Sequence, residues 1–395
     1  MTRRLRIVHV VESLDRGGLE RVVCDLAREQ QVSGHDVSVV CLFRDGLLGD
    51  EARQAGIPLR VVGKRSGFDV PALLRLRRWI GAADPDVVHT HNATAHYHAV
   101  LSARRRNRAI FVNTRHGMGG VRSGDRRERF FSMTLGRTAA VAAVCRAAAA
   151  RLVEDGIVPE SLVRVVPNGI ALDQFDRPNR LEARRALGVP DHLLVIGTVG
   201  RLSWAKDHAF LFRAFREFVR SGPEALLAVV GEGEERAALE QLAVELGIQD
   251  MVRFLGDRHD VPRLLPAMDI YAVSSCTEGY SVAMLEACAA AVPVVATRVG
   301  GNAEIVADRV TGLLIDHADL PGYSEALGAL ASSSELRGRL GSGARAWARG
   351  NASLNAMAAR YEQLYEDCGA TGAVSAAGTG GSKAREHAPL AGERT

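Results

Sequence analysis

The sequence predicts an α/β protein: two parallel, doubly wound sheet domains facing each other across a cleft. Three observations point there. Apolar strand-like runs alternate with helical spacing along most of the chain. The alternation stops at a turn-rich segment, Pro167 to Pro190, and then restarts. The length of 395 residues suits two domains, each large enough for its own core.

In the first half, Arg6 to Val11 reads as a buried strand, and Gly18 to Gln31 as a helix with Val22, Val23, Leu26 and Ala27 on one stripe. Strands follow at Asp36 to Leu42, Asp86 to His89, Ile110 to Asn113, Ala139 to Cys145 and Leu162 to Val166. In the second half, Leu193 to Val199 reads as a strand and Asp207 to Val219 as a helix. Further strands are expected at Ala225 to Val230, Val252 to Leu255, Ile270 to Val273 and Pro293 to Ala296. The expected domains are 1–180 and 181–350. Ser353 to Tyr365 has helical spacing, and a structureless Gly-, Ala- and Ser-rich tail is expected over 369–395.

An apolar share of 47% is that of a soluble globular protein, and a net charge of +4 is too small to argue for nucleic acid. Arginine clusters, as in Arg104-Arg105-Arg106 and Arg126-Arg127-Glu128-Arg129, read as solvated faces or as contacts with an anionic membrane surface or a phosphorylated ligand. The six cysteines are scattered, with no C-x-x-C pair, which suits reduced thiols. No apolar run approaches the ~18 residues of a spanning helix. The expected location is therefore the cytoplasm, with peripheral membrane contact at most.

The strongest constellation is Glu278-Gly279-Tyr280-Ser281, followed at Glu286 by a second glutamate. It follows a strand and opens a helix that Ser281 is suited to cap. Free N–H groups at that helix start suit phosphate. Glu286, about one and a half turns in, is placed to accept hydrogen bonds from a ribose diol. Glu278 is free to face a sugar. An ordinary acidic helix start explains the same residues about equally well. At the matching place after the strand Leu193 to Val199, Arg201 and Lys206 flank a helix start and can clamp a diphosphate. Gly17 and Gly18, in Arg16-Gly17-Gly18-Leu19-Glu20, allow close backbone approach to phosphate or sugar, although an ordinary turn explains them nearly as well. His116 follows a strand and is a candidate to contact a reacting sugar. His89 and His91 form an H-x-H pair that no nearby cysteine or carboxylate completes as a metal site, so hydrogen-bonding or packing roles are expected, also for His96 and His98.

These residues resemble glycosyltransferase family 4, over about residues 5 to 366. The resemblance rests on Ser275 to Val306, with Glu278, Glu286, Pro293-Val294-Val295-Ala296 and Gly300-Gly301-Asn302-Ala303-Glu304. It rests also on Gly200-Arg201-Leu202, Lys206-Asp207, Val166-Pro167-Asn168-Gly169-Ile170, Gly17-Gly18 and Thr311-Gly312-Leu313-Leu314. The resemblance implies a GT-B fold of two Rossmann-like domains and transfer of a hexose-like unit from a nucleotide diphosphate sugar with retained anomeric configuration. The acceptor is then a saccharide or a lipid-linked molecule, as in bacterial polysaccharide or glycoconjugate synthesis. The donor is a substrate, and neither cofactor nor metal is implied.

By the same resemblance Arg201 and Lys206 hold the diphosphate, Glu286 the ribose, and Glu278 the transferred sugar, with Gly279, Tyr280 and Ser281 between them. His116 meets the sugar from the first domain. Gly17 and Gly18 approach the donor phosphates or the acceptor, Arg258 lies near the base through its backbone, and the final helix, 351–368, crosses back to the first domain. One departure stands out. Ala291 occupies a place the family usually gives to glycine; if the backbone there needs positive φ, alanine costs about 1 kcal/mol. The rival readings are a sugar-nucleotide-binding protein without turnover, a hydrolase, and a nicotinamide enzyme that lacks its glycine fingerprint. Gly119 to Phe131 reads as a mobile loop or as an acceptor- or membrane-facing element. The base, the sugar, the linkage and the oligomeric state are not legible.

Overall fold

The computed structural model describes residues 3–15, 17–67, 69–103, 108–118, 126–176 and 179–377. Seven strands form the first sheet: β1 (Arg6–Ser13), β2 (Asp36–Arg44), β3 (Leu59–Val61), β4 (Val87–His91), β5 (Ile110–Arg115), β6 (Ala140–Ala143) and β7 (Val163–Val165). Their order is β3-β2-β1-β4-β5-β6-β7. Six form the second: β8 (Leu194–Val199), β9 (Ala225–Val230), β10 (Val252–Gly256), β11 (Ile270–Val273), β12 (Val294–Thr297) and β13 (Gly312–Ile315), in the order β10-β9-β8-β11-β12-β13. Every pairing is parallel. Continuous Val, Ile, Leu and Ala runs form these strands because helices cover both faces of each sheet.

Each sheet reverses its winding once. In the first, the helix Gly18–Val32 after β1 packs on one face and the helix Asn92–Ser102 after β4 on the other. In the second, the helix His208–Ser221 after β8 and the helix Val282–Ala289 after β11 likewise take opposite faces. The loops after β8 and β11 therefore part and leave a crevice at the carboxyl ends of the strands, where open α/β sheets bind ligands.

Two short strands, β3 and β13, were not expected. A three-residue edge strand has too few positions to show a period, and Gly312–Ile315 begins at a glycine. The helix Arg180–Leu187 packs on the second half, where the buried Arg184 guanidinium donates to Ala267 O at 3.0 Å and meets Asp269 at 3.3 Å. The last helix, Leu354–Ala377, returns to the first half. Its Met357, Ala358, Tyr361, Leu364, Tyr365 and Cys368 are buried with Ile7, Val39 and Val112.

The tail expectation is corrected over 369–377, which is helical. A helix already nucleated by packing extends at little cost through Ala-rich residues. The rest of that tail lies outside the described residues. Ala291 has φ +61°, so the position does require the left-handed conformation.

Candidate functional site between the two sheets

The loop after β11 carries the glutamate segment to the crevice. Ser281 caps the helix Val282–Ala289, its side chain accepting from Met284 N at 3.4 Å. In the neighbouring loop, Asp207 caps the helix His208–Ser221 from a left-handed conformation, φ 45°, and turns Lys206 toward β11. Lys206 forms an ion pair with Glu278, whose carboxylate also accepts from Ser275 Oγ at 3.0 Å. Beneath the pair lies a polar pocket of about 10 Å³, lined by Thr198, Lys206, His208, Tyr271, Ser275 and Ser281 among others. A larger cavity of about 560 Å³, lined by Gln174, His259, Asp260, Pro262 and Arg263, touches none of these charged groups.

Glu286 faces the helix Gly18–Val32 of the first half. Burial pushes its carboxyl up to about 7, opposed by Arg21 and reinforced by Asp25. It accepts no hydrogen bond from any described residue. The carboxylate of Glu20 folds back over Gly17 at the start of the Gly18–Val32 helix, and burial raises its pKa. Gly18 lies against Val282: a Cβ added to Gly18 would sit 3.6 Å from the Val282 side chain. Two helix N-termini, one from each half, thus converge on the crevice. Arg201 is exposed and lies within electrostatic reach of Asp15 and Glu20 across it.

The first half meets this loop through backbone. A Cβ on Gly279 would fall 2.5 Å from the carbonyl oxygen of His116, so only glycine lets the halves approach this closely. Asn168 donates to Tyr280 O at 3.0 Å, and Glu304 accepts from Arg146 N at 2.7 Å. The Gly300-Gly301 pair lies directly against the Glu278 and Gly279 carbonyls. Several of the motif-like residues therefore join the halves.

His116 is held by the start of the helix Asn92–Ser102, where Asn92 Oδ1 accepts from His116 N at 3.2 Å. Its ring stands at one end of a buried cluster. Register pairs His9 on β1 with His89 on β4, and the two-residue period puts His91 on the same face. His9 Nδ1 lies 3.1 Å from His91 Nε2, and His91 Nδ1 lies 2.9 Å from His116 Nε2. Burial drives every one of these rings toward the neutral form, with His116 pushed down to about 3 and His9 to about 4. The nitrogens of His9, His89 and His91 lie within 4.8 Å of one another, a spacing that suits a metal ion. In this structure their nitrogens are engaged in hydrogen bonds, those of His89 with Thr114 and Tyr365. Sequence reasoning missed His9, because it comes from a different strand than the H-x-H pair. His96 and His98 lie elsewhere, bonded to Thr90, Thr138 and Thr94.

The structure thus brings Lys206, Glu278, Gly279, Tyr280, Ser281, Glu286, Gly18 and His116 to one crevice. Arg258 follows β10, its guanidinium committed to Asp260 at 2.6–2.7 Å, which leaves its backbone to the role expected of it. Arg16 and residues 119–125 lie outside the described residues, as do Arg104, Arg105 and Arg106. Of the Phe130-Phe131 pair only Phe130 faces outward; Phe131 is buried under Arg115. No helix among the described residues is long and apolar enough to cross a membrane.

A model of the group 1 glycosyl transferases matches residues 179–347, and one of glycosyltransferase family 4 matches residues 16–174. A D-inositol 3-phosphate glycosyltransferase of Corynebacterium jeikeium is 39% identical over 218 residues, 52% of this chain and 52% of that protein. The chain spans about half the length of the first such relatives it matches. The namesake from Frankia alni is 30% identical over 366 residues, 84% of this chain and 89% of its own. The structure of Anabaena HepE in complex with UDP and glucose superimposes with a TM-score of 0.83 at 22% identity, covering 92% of this chain and 100% of that one. That of WaaG, a glycosyltransferase involved in lipopolysaccharide biosynthesis, gives 0.73 at 21%, covering 91% and 99%. Both likenesses establish the fold as GT-B.

Proposed function

The chain belongs to glycosyltransferase family 4, its second half being a group 1 transferase domain, and from that premise we propose that it moves a hexose from a nucleotide diphosphate sugar to a hydroxyl acceptor with retention of anomeric configuration. The observation that carries the reading is the convergence of positive ends. The N-termini of Gly18–Val32 and Val282–Ala289 meet beside Lys206, and the carboxyl of Glu286 waits nearby without a hydrogen-bond partner. A diphosphate suits the first group and a ribose diol the second.

The protein's own carboxylates neutralise the cradle: Glu278 holds Lys206, and Glu20 covers Gly17. A diphosphate carries more charge than either and competes for the same cations. Lys206 then passes to the phosphate, and Glu278 is freed to accept hydrogen bonds from the sugar. As the sugar–oxygen bond breaks, Lys206, Arg201 and the helix ends stabilise the charge on the leaving diphosphate.

UDP is the first base to test, because the HepE structures hold UDP or UDP-glucose. D-inositol 3-phosphate is the first acceptor to test, being named in the curated relatives; a saccharide or lipid-linked acceptor is second. Peripheral contact with an anionic inner membrane surface would suit the latter. The proposal needs no cofactor. In a thermal-shift series with UDP, GDP and ADP, one compound should raise the melting point of wild type and leave Glu286→Ala unmoved. Equal shifts in both proteins remove Glu286 from the ribose role. Proton NMR of the product then reads the anomer, and inversion overturns the retaining assignment.

A further inference from the structure

The histidine cluster forms a chain with a direction. A neutral imidazole has one donor nitrogen and one acceptor nitrogen, so each link dictates the next. At the inner end, Gln30 Oε1 lies 2.8 Å from His9 Nε2, and Gln30 Nε2 donates to the Tyr365 hydroxyl at 3.2 Å. An amide oxygen only accepts, so His9 carries its proton on Nε2 and offers Nδ1. His91 Nε2, 3.1 Å away, must donate to it, which leaves His91 Nδ1 as an acceptor. His116 Nε2, 2.9 Å from that atom, must donate in turn. The chain ends at His116 Nδ1, a buried nitrogen that no protein group meets. The other branch takes its direction from the same amide. The Tyr365 hydroxyl donates to His89 Nδ1 at 2.7 Å, and His89 Nε2 donates to Thr114 Oγ1 at 2.7 Å.

We propose that Gln30 is a positioning residue which, through His9 and His91, fixes the proton of His116 on Nε2 and presents its bare Nδ1 as the acceptor for a substrate hydroxyl. This rests on the reading of His116 as the first half's contact with the sugar or its acceptor. Reversing the Gln30 amide would reverse every bond in the chain and turn Nδ1 into a donor. The Tyr365 hydroxyl, able to donate or accept, follows the amide in either direction, so the amide itself sets the direction. Tyr365 sits on the helix that returns from the second half. Burial keeps the His116 ring neutral, which suits a hydrogen-bond acceptor that takes no proton.

The test is long-range proton–nitrogen NMR on the full chain labelled with nitrogen-15 histidine, without substrate. Wild type should show the proton on Nε2 in His9, His91 and His116. Gln30→Met, similar in size but unable to hold the direction, should leave His116 a mixture of tautomers. Gln30→Glu, which keeps an acceptor oxygen, should restore the single form. With a UDP-sugar that turns over, kcat for Gln30→Met should fall about tenfold, the loss of roughly one hydrogen bond, and should recover in Gln30→Glu. A His116 proton on Nδ1 in wild type overturns the proposal, as does an unchanged tautomer in Gln30→Met. If that variant does not fold, Gln30→Glu still decides: a carboxylate only accepts, so His9 and His116 must keep the proton on Nε2, and any other tautomer overturns the proposal. If no nucleotide binds at all, the donor reading fails while the tautomer result still decides the chain.

Discussion

The two sheet edges that face the crevice are built from opposite chemistry. The first presents His9, His89, His91 and His116, imidazoles that burial holds neutral and that are joined by hydrogen bonds. The second presents ions: Lys206 paired with Glu278, the exposed Arg201, and Glu286 with its raised carboxyl. The difference suggests a division of labour. Charge that develops on a leaving diphosphate is handled on one side. The other side meets that loop through its backbone, to the point where Gly279 lies under His116 O.

Lys206→Ala gives the sharpest break of this contrast. Turnover should fall about 10²–10³-fold, the usual cost of removing a preorganised charge at a leaving group. Glu278 is then left without its ion pair, so stability should fall as well. The double variant Lys206→Ala with Glu278→Gln should recover stability and not activity, read by urea melts and nucleotide release. A fully active Lys206→Ala would place the leaving-group work elsewhere.

Glu286 sharpens the contrast through pH. Its carboxyl stands at about 7 in the fold, above the usual 4.5, because burial disfavours the ionised form. A raised carboxyl contributes stability that is complete below pH 4.5 and is lost as pH rises through 7. Glu286→Gln, which cannot ionise, should therefore match wild type near pH 4.5 and exceed it at pH 8 by on the order of 2 kcal/mol. The same variant should bind UDP weakly. Urea melts at the two pH values measure the first effect and calorimetry the second; a pH-independent difference would remove the ionisation account.

The domain contact is tested by a pair of glycines. Gly279→Ala pushes a methyl into the His116 carbonyl and should cost about 1–2 kcal/mol, whereas Gly18→Ala meets Val282 at ordinary contact distance and should be nearly neutral. Equal melting temperatures would mean that the halves do not hold this approach in solution. The smallest effect lies far from the crevice. Ala291→Gly relieves a left-handed alanine and should stabilise by about 1 kcal/mol, with activity unchanged.

What could be read in the sequence was mostly local. Most strands were legible from apolar runs, and Ser281 from its place before a helical pattern. The three-residue β3 was not, nor was the helix beyond Gly369, whose small residues read as tail until packing upstream nucleates them. His9 looked like one polar residue in a buried strand. Nothing local ties position 9 to position 89, because their pairing depends on β1 and β4 being neighbours.

The glutamate segment, its helix cap and the cations after β8 were therefore set by the sequence itself. They depend on hydrogen bonds and spacings within a few residues. Tertiary structure alone decided that Lys206 neutralises Glu278 from another loop, that Gly279 passes beneath His116, and that Gln30 and Tyr365 stand behind a chain of three imidazoles. Those contacts follow from strand order and from the docking of two halves. Packing settles both, and no single segment carries either.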